Sequence, residues 1–372
     1  MRTSKLILIS VAAMLTLALA ACGSDTKKDP TAASGAPTSA GGTAAAPTDI
    51  PTSSGPVTLH LGYYPNFTHA PAIVGLARGT FQQDLGPNVT IDTKTFNAGG
   101  DEITALFAGD IDIGYIGPSP AVNGYVKSKG ADVRIIAGAV SGGASLIVRD
   151  GAGINTAADF ANKKVATPQL GNTQDVALRK WLKDNNLAAK EQGGNVTVIP
   201  TDNATTLTAM QQGNIDAAWV PEPWDTRLIQ EAGGKLFLDE KDLWPNGQFS
   251  TTMVIARTDF LNKHPDVVLN FLRAHIETTQ WIAANPEDAK KLVNDGIQQL
   301  TSKALKQATI DEAWKHIGVT EDPLAAAVLT ASENAFSLGF LGASKPDLSK
   351  LFALDLLNKA LKEKNLPAVK AN

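Results

Sequence analysis

Thr104-Ala105-Leu106-Phe107-Ala108-Gly109-Asp110-Ile111-Asp112 and Thr208-Ala209-Met210-Gln211-Gln212-Gly213-Asn214-Ile215-Asp216 agree at five of nine positions, at a fixed offset of 104 residues. In each, a helix-forming run ends at a Gly and passes into an apolar run, Ile111 to Ile116 in the first and Ile215 to Val220 in the second. Helix, glycine stop and buried strand read as one α/β step. The same step occurring twice predicts two similar α/β lobes. Working outward from the first copy, Val57 to Tyr64, Val89 to Phe96 and Val133 to Val140 read as strands. Pro71 to Phe81, Asp101 to Ala108 and Pro120 to Ser128 read as helices between them. Around the second copy, Lys164 to Thr167 and Val196 to Pro200 are strands, and Thr173 to Asn185 and Thr205 to Gln212 are helices. Strands alternating with helices predict an α/β fold with mainly parallel, doubly covered sheets.

Two further strand candidates, Ser145 to Arg149 and Thr251 to Arg257, lie between the lobes. They read as crossovers, and two crossovers make a hinge with a cleft beside it. Lobe 1 is then expected over 57–146 and 255–372, and lobe 2 over 147–254. From Asp259 the chain reads as largely helical, punctuated by prolines, with Trp281 and Trp314 as packing residues.

The first 56 residues differ from the rest. Arg2 and Lys5 precede the run Leu6 to Ala20, which is too short to span a bilayer comfortably and has the form of a secretory signal. It ends in Leu19-Ala20-Ala21-Cys22-Gly23, which resembles a bacterial lipoprotein signal. That resemblance implies cleavage after residue 21 and lipidation of Cys22, the one Cys of the chain. An ordinary secretory signal is the alternative. Gly23 to Pro56 is Ala, Gly, Ser, Thr or Pro at 28 of 34 positions and reads as a flexible tether over 22–56. The expected location is the extracytoplasmic face of the cell membrane, held by lipid.

Composition removes several function classes. The chain has 372 residues, 33 Lys+Arg against 37 Asp+Glu, and a net charge of -4. Nucleic-acid surfaces need a basic excess, so no nucleic-acid partner is expected. One Cys and five His, none at metal-ligand spacing, leave no expected metal site or other cofactor. No G-x-S-x-G, Walker loop or H-E-x-x-H occurs, and no catalytic residue is assigned.

Four turns after strands carry the polar groups. Gly117-Pro118-Ser119 and Gly171-Asn172-Thr173-Gln174 each place a hydroxyl and backbone N–H groups at a helix start, the form of an anion site. Ser119 and Thr173 would serve equally as plain N-caps. In Pro221-Glu222-Pro223-Trp224, Glu222 either accepts from a ligand or ties its own turn, and Trp224 either forms a wall or packs. In Asn66-Phe67-Thr68-His69, His69 either donates to a ligand oxygen or caps a helix.

His69-Ala70-Pro71-Ala72 with Gly75, Gly79 and Phe81 resembles the opening of the nitrate/sulfonate/taurine group of ABC-transporter substrate-binding proteins. Ala108-Gly109-Asp110-Ile111-Asp112 leading to Gly117-Pro118-Ser119-Pro120 does so too, as do Gly171 to Leu178, Ala217 to Trp224, and Phe260-Leu261 with His264-Pro265. The resemblance runs over 57–284. It implies a periplasmic-binding-protein type II fold, two lobes on two hinge strands, closing around a small solute and delivering it to a permease and its ATPase. It implies ligand contacts at His69, Ser119, Thr173 and Glu222, with Phe67, Gly117, Asn172, Gln174, Trp224 and, at the return crossover, Phe249, Ser250 and Thr251 near them.

None of the four turns contains Lys or Arg, so an anion would be held by N–H dipoles and hydroxyls. With Phe67, Trp224 and Phe249 as apolar wall, the preferred solute is an alkanesulfonate or taurine. A thiamine-precursor pyrimidine or other heterocycle comes next, then nitrate or bicarbonate. A surface sensor lipoprotein and a pyrimidine-synthesising enzyme are the alternative classes. One chain supplies both cleft walls, so a monomer is expected.

Overall fold

The computed structural model describes residues 50–371. The signal segment, Cys22 and the tether up to residue 49 lie outside the described residues. Residues 50–56 do not behave as free tether. Ile50 packs against the core, and the Ser53 backbone N–H and hydroxyl donate to Asp266 at 2.7 Å each.

Among the described residues, eleven strands form two sheets. The chain builds β1 (Val57–Tyr63), β2 (Val89–Thr95), β3 (Ile113–Ile116) and β4 (Val133–Gly142) in the first sheet. It crosses to make β5 (Ala144–Arg149), β6 (Lys164–Thr167), β7 (Thr197–Pro200), β8 (Ala217–Pro221) and β9 (Gly234–Asp239) in the second. It returns for β10 (Ser250–Arg257) and β11 (Ile317–Val319). The orders are β11-β4-β10-β3-β1-β2 and β7-β6-β8-β5-β9. This is the expected two-lobed α/β fold with two crossover connections. The expected lobe limits, 146/147 and 254/255, lie inside β5 and β10; all of β5 belongs to the second sheet and all of β10 to the first.

The sheets are mixed rather than mainly parallel. β1 pairs in parallel with β2 and β3, and β6 with β7 and β8. The crossover strands arrive from the opposite lobe and run the other way, β10 against β3 and β4, β5 against β8 and β9. The first crossing needs its glycines. Gly142 and Gly143 have φ of +78° and +71°, and a Cβ on Gly142 would stand 2.5 Å from the His316 carbonyl.

The repeated nonapeptide has a structural reason. Gly109 and Gly213 are left-handed helix stops, and Asp110 and Asn214 each donate their N–H to the carbonyl of the Ala five residues back. Asp112 and Asp216 then clasp three strands apiece. Asp112 exchanges backbone bonds with β1: its N–H reaches the His60 carbonyl, and its Oδ2 accepts the His60 N–H at 3.0 Å. Its Oδ1 accepts from Arg257, the last residue of β10, at 2.6 Å. Asp216 repeats this with Lys164 N–H at 2.9 Å and with Arg149, the last residue of β5, at 3.0 Å.

The expected helix Pro71 to Phe81 is two, Ala70–Ala77 and Thr80–Leu85, because Gly79 at φ +71° ends the first. Helices Pro265–Ala284 and Pro286–Thr301 each begin on a proline whose missing N–H costs nothing there. Trp314 packs edge-on against Phe67, and the Arg78 guanidinium lies over Trp281. Helix Trp224–Ala232, β9 and β11 have no counterpart in the sequence reading. Among the described residues, no helix is long and apolar enough to cross a membrane.

Candidate functional site

The four polar turns follow β1, β3, β6 and β8, at the ends opposite the Asp clasps. The offset of 104 residues makes His69 equivalent to Thr173, and Gly117 to Ser119 equivalent to Pro221 to Pro223. The turns enclose two adjoining spaces that meet at Thr173. The first, a cavity of about 30 Å³, is lined by Tyr64, Asn66, Thr68, His69, Asn97, Gly117, Asn172, Thr173, Gln174, Asn203, Thr251 and their neighbours. The second, also about 30 Å³, is lined by Pro118, Ser119, Thr173, Val176, Ala177, Glu240, Trp244, Ser250 and, from helix Ala325–Ser337, Ala327, Val328, Ala331 and Asn334. No Lys or Arg lines either space.

The capping alternative fails for both hydroxyls. The helix after β3 is Pro118–Lys127, with Gly117 at its N-cap and Ser119 in the second position. The helix after β6 is Thr173–Asp184, with Asn172 at its N-cap and Thr173 first. Neither helix start has a side-chain cap, and both hydroxyls are buried without a hydrogen-bond partner. The Asn203 Oδ1 is in the same condition. Buried polar atoms are almost always paired, so three unpaired ones around one cavity mark a place for a polar ligand. The N–H groups of Thr173 and Gln174 have no carbonyl one turn back and add two donors. The other helix start is poorer than the sequence suggests, because Pro118 and Pro120 lack N–H and leave only that of Ser119.

His69 is buried with its ring centroid 4.2 Å from that of Tyr64, and its Nδ1 accepts the Tyr64 N–H at 3.4 Å. Burial pulls its pKa down to about 3, so the imidazole is neutral near pH 7. With Nδ1 accepting, the proton sits on Nε2, and His69 is a neutral donor.

Other expected residues stand elsewhere. Phe67 is in the first core, edge-on to Trp314. Glu222 lines neither space. Its Oε1 accepts from the Thr226 hydroxyl at 2.8 Å, and burial together with neighbouring Asp225 pushes its pKa well up. Trp224 lines an outer groove, and its Nε1–H donates to Asn66 Oδ1 at 3.0 Å across the cleft. Ser250 reaches the second space, while Phe249 stacks on Trp244 with centroids 5.8 Å apart. Asn66, Asn97, Asn203, Glu240 and Trp244 line the two spaces without having been singled out in the sequence. Asn203 had a signal: it follows β7 and opens a helix, as the recognised turns do.

The two lobes touch across the site. A Cβ on Gly117 would stand 2.5 Å from Thr173 Oγ1, and the Gln169 side chain accepts the Gly100 N–H at 3.0 Å. The cleft is shut. Among the described residues no group of three or more His, Cys, Asp or Glu is placed to hold a metal.

A model of the NMT1-like family matches residues 52–295, which takes in every described strand but β11, both crossovers and all four turns. The chain belongs to the NMT1-like family. Within reach of this NMT1-like protein is the taurine-binding periplasmic protein of Escherichia coli K12, 29% identical over 220 residues, or 58% of this chain and 64% of that one. The chain thus matches somewhat under two-thirds of that relative's length. The alkanesulfonate-binding protein SsuA from Xanthomonas axonopodis pv. citri, bound to MOPS, superposes with a TM-score of 0.68 at 18% identity, covering 81% of this chain and 100% of that chain. The periplasmic nitrate-binding protein NrtA from Synechocystis PCC 6803 gives 0.67 at 18% identity, covering 83% and 89%. At such identities the structural likeness carries the fold alone.

Proposed function

We propose that the protein is the extracytoplasmic solute-binding component of an ABC importer, closing two lobes around an alkanesulfonate or taurine and presenting it to a permease and its ATPase. The observation that carries this is the pair of buried, unpaired hydroxyls, Ser119 and Thr173, offered by different lobes to one enclosed space without a cation. Such a space suits an anion whose charge is spread over several acceptor oxygens, and a sulfonate has three. The apolar side chains beside it, Val176, Ala177 and Val328, suit a carbon tail that nitrate and bicarbonate lack. The taurine- and alkanesulfonate-binding proteins similar to this chain support the same choice.

The ligand contacts are His69, Gly117, Ser119, Asn172, Thr173, Gln174 and Ser250, with Asn203 added; Trp224 acts as a latch across the cleft. The lobes divide by sheet, 57–142 with 250–371 against 144–249. The site binds without turnover: His69 bonds the Tyr64 N–H and no nucleophile. Cleavage before Cys22 and lipidation there would hold the monomer at the membrane's outer face.

Titration calorimetry with taurine, ethanesulfonate, nitrate, bicarbonate and an aminopyrimidine tests the reading. Binding of the sulfonates, abolished or weakened about tenfold or more when Ser119 or Thr173 loses its hydroxyl, is the expected result. Binding of nitrate or the pyrimidine alone would refute the sulfonate assignment.

A further inference from the structure

Resting on that reading, we infer that the second space is a subsite for the far end of the solute, where Glu240 accepts from an ammonium or hydroxyl group at the end of a short sulfonate chain. Three observations converge on it. The second space adjoins the first at Thr173, and Ser119 and Thr173 both line it, so a molecule whose anionic head sits between their hydroxyls has its tail among the walls of that space. The walls differ in kind: the first space is edged by Asn, Thr and His side chains, the second by Val176, Ala177, Ala327, Val328 and Ala331. At the second space stands one carboxyl, Glu240.

Glu240 is buried to 1% exposure, and among the described residues it forms no ion pair. Its Oε2 accepts from Trp219 Nε1 at 2.8 Å, which fixes the carboxyl on its inner side. A carboxylate taken out of water without a cation is costly unless something completes it. Burial accordingly raises the Glu240 pKa to about 7, with the Trp219 and Trp244 indoles pulling the other way. Glu222, another buried carboxyl near the cleft, is satisfied by Thr226 within its own turn. Glu240 has no such local cation or hydroxyl, and the space in front of it is lined by Trp244, whose ring stacks on Phe249 and is held as a flat wall. A ligand amine entering there meets the one charge of the compartment and an aromatic face that also favours cations. An inorganic anion would leave both the apolar walls and the carboxyl uncompleted.

The test compares taurine with ethanesulfonate, which differ by the terminal amine, by calorimetry on the wild-type protein and on Glu240→Gln. The expected result is a ratio of taurine Kd to ethanesulfonate Kd that rises about tenfold or more in Glu240→Gln, the loss of one charge-assisted bond. An unchanged ratio overturns the subsite while leaving the sulfonate reading standing. Failure of the wild-type protein to bind either sulfonate overturns both. Because Glu240→Gln disturbs a buried hydrogen bond, Ala331→Met is the second variant. It fills the subsite from helix Ala325–Ser337 and leaves the carboxyl in place. It is expected to raise the Kd ratio of propanesulfonate to methanesulfonate by about tenfold. Equal losses for the two chain lengths overturn the placement of the tail.

Discussion

Gly117→Ala should leave the fold alone and spoil closure. Gly117 has φ -73° and ψ 157°, an extended conformation open to any residue, so alanine adds no backbone strain. The added methyl meets one thing at close range, Thr173 Oγ1 at 2.5 Å; the next neighbours, Thr173 Cβ and the Thr251 carbonyl, are at 3.6 Å, ordinary contact. Relief requires the lobes to stay about 1 Å apart or Thr173 to rotate. Threonine is stiff at χ1, and rotation would take its hydroxyl out of the site. Overpacking of this size costs about 1–3 kcal/mol, which weakens the Kd about 5- to 150-fold. The apo melting temperature should stay within about a degree of wild type, since an open cleft does not contain the clash. Thr173→Ala removes the clashing oxygen and also one ligand bond, at about 1.5–3 kcal/mol. In the double variant the clash is gone, so Gly117→Ala should add almost nothing, a coupling of about 1–3 kcal/mol. Calorimetry with a sulfonate on the four proteins reads this directly. Strict additivity, or wild-type affinity in Gly117→Ala, would refute the argument that the two lobes meet at this pair.

Trp224→Phe loses the indole bond to Asn66 across the cleft and should weaken solute binding up to about fivefold, chiefly through faster release in stopped-flow fluorescence. Asp112→Ala removes a buried carboxylate that ties His60 to Arg257 and should destabilise by about 3 kcal/mol in urea melts; Asp216→Ala, in the more exposed copy of the clasp, should cost less. Glu102 is buried against Gly62 and Gly114, and burial raises its pKa to about 8. The folded state therefore holds a proton that the unfolded chain releases above about 4.5, so this contribution weakens as pH rises from about 4.5 to 8 and is constant beyond. Glu102→Gln should accordingly gain stability over wild type across that interval, read as melting temperature against pH. His69 works in the other direction: with a folded pKa near 3, the unfolded chain binds the extra proton between about 3 and 6.5, and stability should fall as pH drops through that range, less steeply in His69→Gln.

What the sequence reveals of this molecule depends on whether a residue's role is local. Gly109 and Gly213 stop helices by their own left-handed backbone, and Asp112 and Asp216 clasp strands from fixed positions 52 residues after their partners, so the repeat is visible at five of nine positions. Strands β1, β6 and the crossovers were legible because apolar runs bounded by Pro and Gly mark them. The hydroxyls were located but capping stayed open as an alternative: Pro118 at the first helical position puts Ser119 two steps past the cap, and nothing in the spelling of Gly-Pro-Ser shows that. Glu222 stands in a motif turn yet points into its own helix, because Thr226 one turn later captures it. Glu240 and Trp244 lie in an irregular stretch between β9 and β10, where no periodicity reports which side chains face the cleft. The parallel-sheet expectation failed for a related reason, since strand direction at a crossover is set by the lobe the chain comes from.

The repeat also explains why closure depends on two hydroxyls. The ends of the strands that carry the Asp clasps are alike in both lobes, while the opposite ends have diverged: His69 faces its counterpart Thr173, and Ser119 occupies the place that Pro223 holds in the other lobe. The unpaired hydroxyls at the two helix starts are therefore one per lobe, Ser119 on the first and Thr173 on the second, brought together where Gly117 lets the lobes touch. A ligand on the open protein can bond one of them; it bonds both only when the cleft is shut. The second bond is thus the difference in ligand affinity between open and closed states, about 1.5–3 kcal/mol for a charged acceptor, while latch bonds within the protein such as Trp224 to Asn66 set the balance on which it acts. That is enough to move an evenly balanced equilibrium to about 90–99% closed, but falls short of overturning a strongly open one. Small-angle scattering of the sulfonate-saturated protein should therefore show a compact species for wild type. It should show a mixture with the open form for either Ser119→Ala or Thr173→Ala, even at ligand concentrations that fill the site. Full compaction of both single variants at saturation would mean that closure is driven by the lobe contacts alone, and that the hydroxyls hold the ligand without coupling it to the movement.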